Sequence, residues 1–113
     1  MDRKEKWRSD RIVVVEVTVV PIGTEGPSLS EYVAEAIQIL EDGEVEYELT
    51  SMGTLIEGEL EETLEVARKM HESVFSDKIE RVVTNIRIDD RRDKELSIQG
   101  KKDSVEERMK KRD

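Results

Sequence analysis

Residues 11–20 read RIVVVEVTVV, and this stretch decides how the chain folds. It is dense in β-branched residues, which favour a β-strand. Because successive side chains of a strand point to opposite faces, one face carries an unbroken row of Val13, Val15, Val17 and Val19. The other face is mixed and carries Ile12, Val14, Glu16, Thr18 and Val20. The valine row therefore predicts a face packed on a core, and it leaves the mixed face for another purpose.

A helix is predicted after this strand. The loop at residues 21–27 reads PIGTEGP, and its prolines and glycines end the strand. Ser28 follows as an N-cap with Glu31 three positions on, which is the spacing of a capping box. Apolar residues then recur at helical spacing, namely Leu29, Val33, Ala36, Ile37 and Leu40. Gly43 is the predicted end of the helix.

Residues 44–59 predict a β-hairpin. Apolar and polar residues alternate from 44 to 51, with Val45, Tyr47 and Leu49 on one face. The turn is expected near Met52 and Gly53, and residues 54–59 form the returning strand.

A second helix and a last strand complete the pattern. The helix carries one stripe of Leu60, Leu64, Ala67, His71 and Val74, and it ends near Ser76 and Asp77. Residues 79–89 predict the strand, with Val82, Thr84, Ile86 and Ile88 on one face and Val83, Asn85, Arg87 and Asp89 on the other. A short terminal helix is predicted at residues 104–111, capped by Asp103 or Ser104.

The order βαββαβ selects a fold class. Right-handed crossovers and a short hairpin favour the α+β ferredoxin-like sandwich, whose antiparallel sheet has strand order 4-1-3-2. Both helices then cover one face of the sheet, and the apolar rows of the strands face them. The opposite face, called the open face below, has no predicted helix over it. Its mixture of carboxylates and β-branched residues predicts a surface that binds a second copy of the chain or a polar or cationic ligand.

Length and composition limit the class of protein. A chain of 113 residues makes one domain, predicted at residues 11–113 after a charged N-terminal extension at residues 1–10. The net charge of −9 argues against a nucleic-acid partner, and no apolar run is long enough to span a membrane. We therefore expect a cytoplasmic protein. Abundant Glu, Lys and Arg with few Asn and Gln resemble a thermophile composition.

The residues that carry most enzyme chemistry are missing or isolated. The absence of cysteine excludes disulfides, thiolate metal sites and Cys nucleophiles. His71 is the one histidine, so it is predicted to be a packed or interface residue and not a metal ligand or general base. No phosphate loop or nucleophile elbow occurs. We expect no catalytic residues, no metal and no cofactor.

Three stretches carry a resemblance to a known family. They are VEVTVVPIGTEGPSLSEYVAEAI at residues 15–37, SMGTLIEG at residues 51–58, and HESVFSDKIERVVTNIRIDDRRDK at residues 71–94. Together with KKDSVEE at residues 101–107, their order and spacing resemble the small thiamine-binding protein family, long catalogued as conserved uncharacterised proteins.

The resemblance implies a ferredoxin-like fold, a homotetramer built of dimers, and non-enzymatic binding of thiamine or its hydroxymethylpyrimidine part. Thiamine is a heteroaromatic cation, which carboxylates such as Glu16, Glu46, Glu48 or Glu57 would complement. The ligand-binding residues implied by the loop and the turn are Gly23, Thr24, Ser28, Ser30, Ser51, Met52, Gly53, Thr54 and Glu57. Asn85 is added because it lies on the predicted open face.

Two alternatives stay open. The first is a structural or regulatory module that assembles with itself and binds another small molecule, such as an amino acid. The second is an enzyme, which the single histidine and the absence of cysteine make the weakest choice.

Overall fold

The computed structural model describes residues 11–23, 29–94 and 96–110, and it describes residues 29–31 by their backbone alone. The predicted extension at residues 1–10 lies outside this part of the chain. The described residues form four strands and three helices. In chain order these are β1 (Ile12–Pro21), α1 (Leu29–Asp42), β2 (Glu46–Thr50), β3 (Gly53–Glu59), α2 (Leu60–Val74), β4 (Val82–Asp89) and α3 (Ile98–Lys110).

The sheet has the order β2-β3-β1-β4, and every neighbouring pair is antiparallel. This is the predicted order 4-1-3-2 read from the other edge, so the ferredoxin-like α+β fold is confirmed. The strands β1 and β4 pair over eight positions, from Val14 opposite Asp89 to Pro21 opposite Val82. The sheet therefore ends in a long strand at one edge and in the five-residue β2 at the other.

The core confirms the alternation predicted for β1. Val13, Val15 and Val17 are fully buried beneath the helices, together with Leu40 of α1 and Ile56 of β3. Burying a valine or leucine side chain contributes about 1.5–3 kcal/mol, so this cluster holds the two helices on the sheet. The same parity fixes the open face on the opposite side.

The helical stripes are rotated from the predicted ones. On α2 the buried residues are Thr63, Val66, Ala67, Met70 and Val74. Leu64 is exposed and His71 is half-buried, although both belong to the predicted stripe. Val33 of α1 is likewise exposed.

The terminal helix is longer than predicted. It begins at Ile98, six positions before the predicted start at residue 104, and it ends at Lys110. Ser97 is the N-cap, because its Oγ accepts a hydrogen bond from the N–H of Gly100 at 2.8 Å. Gly100 therefore lies inside the first turn of α3. No helix in the described part of the chain is long and apolar enough to cross a membrane.

Candidate ligand-binding face

The open face carries three rows of side chains that run across the strands. The pairing of the strands defines each row, because directly opposed residues of an antiparallel sheet share a face. The carboxylate row consists of Glu46, Glu57, Val14 and Asp89. The mixed row consists of Glu48, Leu55, Glu16 and Arg87. The polar row contains Thr50, Gly53, Thr18 and Asn85.

The segment that leads into α3 covers the carboxylate row, which corrects the prediction that no helix of the chain lies on this face. Leu96 and Val14 are both buried, although Val14 faces away from the main core. The backbone N–H of Ile98 donates to Oε1 of Glu57 at 3.2 Å. The end of the sheet that carries this row is therefore closed by the chain itself.

Two lysines of α3 engage further carboxylates of the open face. Lys102 Nζ lies 2.9 Å from Glu48 Oε1, and Lys101 forms an ion pair with Asp89. Glu48 belongs to β2 and Asp89 to β4, at the two edges of the sheet. The first turns of α3 thus place positive charge over the carboxylates where the sequence predicted a cationic ligand.

The mixed row contains a second carboxylate, Glu16, whose ion-pair partner lies on β4 and not on α3. Glu16 lies in the central strand β1, and its Oε1 is 3.9 Å from Nη1 of Arg87. The Arg87 side chain is 85% exposed, so this ion pair is loose and open to solvent. Glu16 is therefore the carboxylate best placed to exchange its partner for a ligand.

Gly53 allows the polar row to be close-packed. A Cβ at this position would stand 2.8 Å from Cγ2 of Thr18 and 3.1 Å from the carbonyl oxygen of Val17. Among the described glycines, Gly23 has a positive φ and Gly53 does not. A left-handed backbone conformation is therefore not the reason for glycine at position 53. A residue without a side chain is needed at this position because the Thr18 side chain lies directly over the β3 backbone.

The turn between β2 and β3 is held by one hydroxyl. Thr50 Oγ1 accepts from the N–H of Met52 at 3.2 Å and of Gly53 at 3.1 Å, and it donates to the carbonyl of Gly53 at 2.8 Å. These bonds use the hydrogen-bonding capacity of Thr50. Ser51 and Met52 remain exposed at the tip, with Met52 80% exposed.

The structure brings some of the predicted site residues together. Asn85 lies opposite Thr18 in the strand pairing, Thr18 lies over Gly53, and the turn residues Ser51 and Met52 adjoin Gly53. Gly23 follows the end of β1 with φ of 71° and is exposed. Sequence reasoning missed Thr18, although its parity in β1 already placed it on the open face.

Two predicted residues lie apart from this group. Thr54 is buried and pairs with Val17, so it faces the helices and not the open face. Glu57 is four positions from Gly53, or about 13 Å along the strand, and it receives the first N–H of α3. Thr24 and Ser28 lie outside the described residues, and Ser30 is described only as a backbone position in the first turn of α1.

Charged residues near the ends of β1 and β4 pair within the chain. Asp90 accepts a hydrogen bond from Arg11 and lies 3.6 Å from Arg92, and the hydrogen bond from Arg11 lowers the pKa of Asp90. Arg91 donates to both carboxylate oxygens of Asp93, which lowers the pKa of Asp93 to about 2. A cleft of about 500 Å³ lies beside them, between this connection and Lys101 of α3. Because its Arg91–Asp93 and Lys101–Asp89 pairs are formed within the chain, we do not assign a ligand to it.

His71 has a structural environment. Its Nδ1 lies 2.6 Å from Oγ1 of Thr84, and its ring meets the edge of Phe75 with centroids 5.3 Å apart. The prediction of a packed, hydrogen-bonded histidine is confirmed. Among residues 11–23, 29–94 and 96–110, no group of three or more carboxylate or histidine side chains is arranged to hold a metal ion.

Comparison with known proteins assigns the family. Residues 15–106 match the thiamine-binding protein family, which is most of the chain. The chain belongs to this family. The predicted resemblance is confirmed.

Relatives occur in bacteria and archaea. The UPF0045 protein YqgV of Bacillus subtilis is 47% identical over 102 residues, which cover 87% of this chain and 98% of YqgV. The crystal structure of MJ1052 from Methanocaldococcus jannaschii superimposes with a TM-score of 0.76 at 39% identity, over 86% of this chain and 98% of that one. TM0486 of Thermotoga maritima, named as a candidate thiamine biosynthesis or salvage protein, has a TM-score of 0.62 at 28% identity, over 83% and 98% of the two chains.

Proposed function

We propose that this protein binds thiamine or its hydroxymethylpyrimidine part on the open face, as an oligomer and without a chemical step. The observation that carries the proposal is the adjacency of the polar row to the carboxylates of the mixed row. Thr18 and Asn85 are opposed across β1 and β4, and Glu16 lies two positions from Thr18 on the same face. The family assignment and the name of TM0486 support thiamine as the compound.

The two parts of thiamine have different chemical needs. Its thiazolium ring carries a fixed positive charge, which Glu16 of β1 and Glu48 of β2 would complement from the two sides of Leu55 in the mixed row. Its aminopyrimidine ring offers hydrogen-bond donors and acceptors, which the hydroxyl of Thr18 and the amide of Asn85 can match. An amide supplies both functions, so Asn85 is well suited to hold the ring in one orientation.

Apolar side chains at the same end of the sheet would pack against the ligand rings. Val20 and Val83 are opposed on the open face and are 48% and 41% exposed, and Met52 stands exposed at the adjacent turn. A flexible thioether adapts to an irregular surface and makes favourable contacts with aromatic rings. These residues would provide the packing that an aromatic side chain provides in other ring-binding sites.

Calorimetric titration tests the proposal. Thiamine and hydroxymethylpyrimidine are each titrated into the full chain, and we expect thiamine to bind more tightly because only thiamine carries the thiazolium charge. Glu16→Gln and Glu48→Gln should each weaken thiamine binding about fivefold, because a partly exposed charge contact contributes about 1 kcal/mol. Their effect on hydroxymethylpyrimidine should be smaller.

The matched control is Glu35→Gln, which removes an exposed carboxylate of α1 on the other side of the sheet. It should leave both affinities unchanged. Absence of heat with millimolar thiamine would overturn the proposal. Equal losses for all three variants would instead refute the placement of the ligand on the open face.

A further inference from the structure

The mixed row of the open face has a cation at each end. At the β2 end, Lys102 of α3 donates to Glu48, with Nζ and Oε1 2.9 Å apart. At the β4 end, Arg87 lies 3.9 Å from Glu16. Half-buried Leu55 separates the two carboxylates. The order across the sheet is therefore cation, carboxylate, apolar side chain, carboxylate, cation.

Lys102 would lose its partner when an organic cation binds to Glu48. Its side chain is 52% exposed and that of Glu48 is 36% exposed, so the ion pair can open without unfolding of the chain. The ammonium group would then stand beside the bound positive charge, and like charges at close range repel each other. A ligand that also brings an anionic group to Lys102 removes this repulsion and replaces the lost ion pair.

Two further contacts hold the start of α3 on the sheet. The N–H of Ile98 donates to Oε1 of Glu57 at 3.2 Å, and Lys101 forms an ion pair with Asp89. Neither contact involves Glu48, so both persist when Lys102 changes its partner. The lysine therefore remains at the site in a nearly fixed position, which reduces the entropy lost when it binds a ligand.

The position of the pyrimidine ring decides which cation an anionic group of the ligand would meet. In the proposed function the ring contacts Thr18 and Asn85, and Arg87 is two positions from Asn85 on the same strand. The hydroxyethyl group of thiamine leaves the thiazolium ring on the side away from the pyrimidine. It therefore points toward β2, which lies two strand spacings or about 10 Å from β1, and so toward Lys102.

We propose that the open face binds a phosphate ester of the heteroaromatic cation in preference to the free alcohol, with Lys102 as the phosphate ligand. The thiazolium charge takes the place of the Lys102 ammonium group beside Glu48, and the phosphate takes the place of Glu48 beside Lys102. Both charges of the original ion pair then keep a partner of opposite sign. This inference rests on the proposed function, because it requires the cation to lie on the open face.

The overall charge of the chain makes the lysine contact necessary for such an ester. The net charge of −9 repels a phosphate group. Exposed charges more than about 8 Å apart are largely screened at physiological salt, so the charge nearest the phosphate decides whether the phosphate is accepted. Lys102 supplies this charge at the β2 end of the mixed row.

Calorimetric titration of the full chain with thiamine and with thiamine monophosphate tests the proposal. We expect the ester to bind about fivefold more tightly, because an exposed charge contact contributes about this factor. In Lys102→Gln the two affinities should become equal within about twofold, since thiamine gains from the release of Glu48 and the ester loses the contact with its phosphate. A purely structural role of Lys102 would change both affinities by the same factor.

Arg87→Gln is the matched control, because it removes the cation at the other end of the mixed row. It frees Glu16, so both affinities should rise together and the preference for the ester should persist. Circular dichroism verifies that each variant folds. Loss of the preference in Arg87→Gln together with its retention in Lys102→Gln would overturn the placement of the phosphate.

Phosphocholine tests whether the two charges alone are sufficient. It carries a fixed positive charge and a phosphate but no pyrimidine ring, so it makes no contacts of the kind proposed for Thr18 and Asn85. It should bind about tenfold more weakly than the ester, because about two hydrogen bonds are lost. Equal binding of the two compounds would overturn the recognition of a heteroaromatic ester.

The titrations distinguish failure of this inference from failure of the proposed function. If thiamine binds and the monophosphate binds equally or more weakly, the proposed function stands and the preference for an ester is wrong. If neither compound binds at millimolar concentration, both are wrong. A preference for the ester that disappears in Lys102→Gln alone supports both.

Discussion

Lys102 of α3 donates a hydrogen bond to Glu48 of β2, with Nζ and Oε1 2.9 Å apart. The two residues are 54 positions apart in sequence, and the contact spans the space between the last helix and the open face. The lysine side chain is 52% exposed and the glutamate 36% exposed, so the pair can open at low energetic cost. The ammonium group occupies a position that the thiazolium charge of thiamine would also favour.

Removing this lysine should strengthen ligand binding. Lys102→Gln frees Glu48 from an exposed ion pair worth at most about 1 kcal/mol, so thiamine affinity should rise about two- to fivefold by calorimetry. Lys110→Gln removes an equal charge from the last residue of the same helix and should have no such effect. A weaker or unchanged affinity in Lys102→Gln would show that Glu48 does not contact the cation.

Substitution of Gly53 should destabilise the sheet. In Gly53→Ala the new Cβ meets Cγ2 of Thr18 at 2.8 Å and the carbonyl oxygen of Val17 at 3.1 Å. Overpacking of this kind costs about 1–3 kcal/mol, which urea denaturation can measure. The double variant Thr18→Ala with Gly53→Ala should recover part of the loss, because the contact with Cγ2 of Thr18 is removed. Recovery should be incomplete because the contact with the carbonyl oxygen of Val17 remains. Full additivity of the two substitutions would contradict the proposed close packing.

Glu57 should anchor α3 more than it binds ligand. Glu57→Ala removes the acceptor of the Ile98 N–H, so the amides of the first turn of α3 should exchange with deuterium faster. Glu57→Gln keeps a carbonyl oxygen and should retain most of the protection. Glu59→Ala serves as the control, because Glu59 makes no side-chain capping bond to α2. Equal exchange in all three variants would contradict an anchoring role.

Asp90 should make stability depend on pH in the acid range. Its pKa is lowered in the folded chain, chiefly by the hydrogen bond from Arg11, so the stabilisation is present above the unfolded pKa of about 3.9 and is lost as pH falls through the folded value. Asp90→Asn should therefore cost about 1–2 kcal/mol at pH 7 and much less at pH 2. Arg11→Gln should reproduce this convergence in urea denaturation curves, and a pH-independent difference would contradict it.

The alternation of β1 allowed the open face to be predicted from sequence. Val13, Val15 and Val17 pointed to the core and Glu16 and Thr18 away from it, as found. A period of two residues is a local property of a strand, so it could be read without knowledge of the rest of the fold. The order of the strands in the sheet followed because few topologies connect strands and helices in the order βαββαβ.

The covering of the carboxylate row could not be predicted in this way. It depends on the contact between Ile98 and Glu57, which are 41 residues apart, and on the burial of Leu96. The helix was predicted to begin at residue 104, yet Ser97 caps it seven residues earlier. Thr54 was assigned to the site from the resemblance alone. It pairs with Val17, so its side chain faces the helices and not the open face.

The most direct test of ligand binding at the open face is an amide chemical-shift titration of the isotope-labelled full chain with thiamine. We expect the largest shifts at Glu16, Thr18, Gly53 and Asn85, with smaller shifts near Lys102 as its ion pair opens. Shifts confined to α1 and α2, on the far side of the sheet, would contradict binding at the open face.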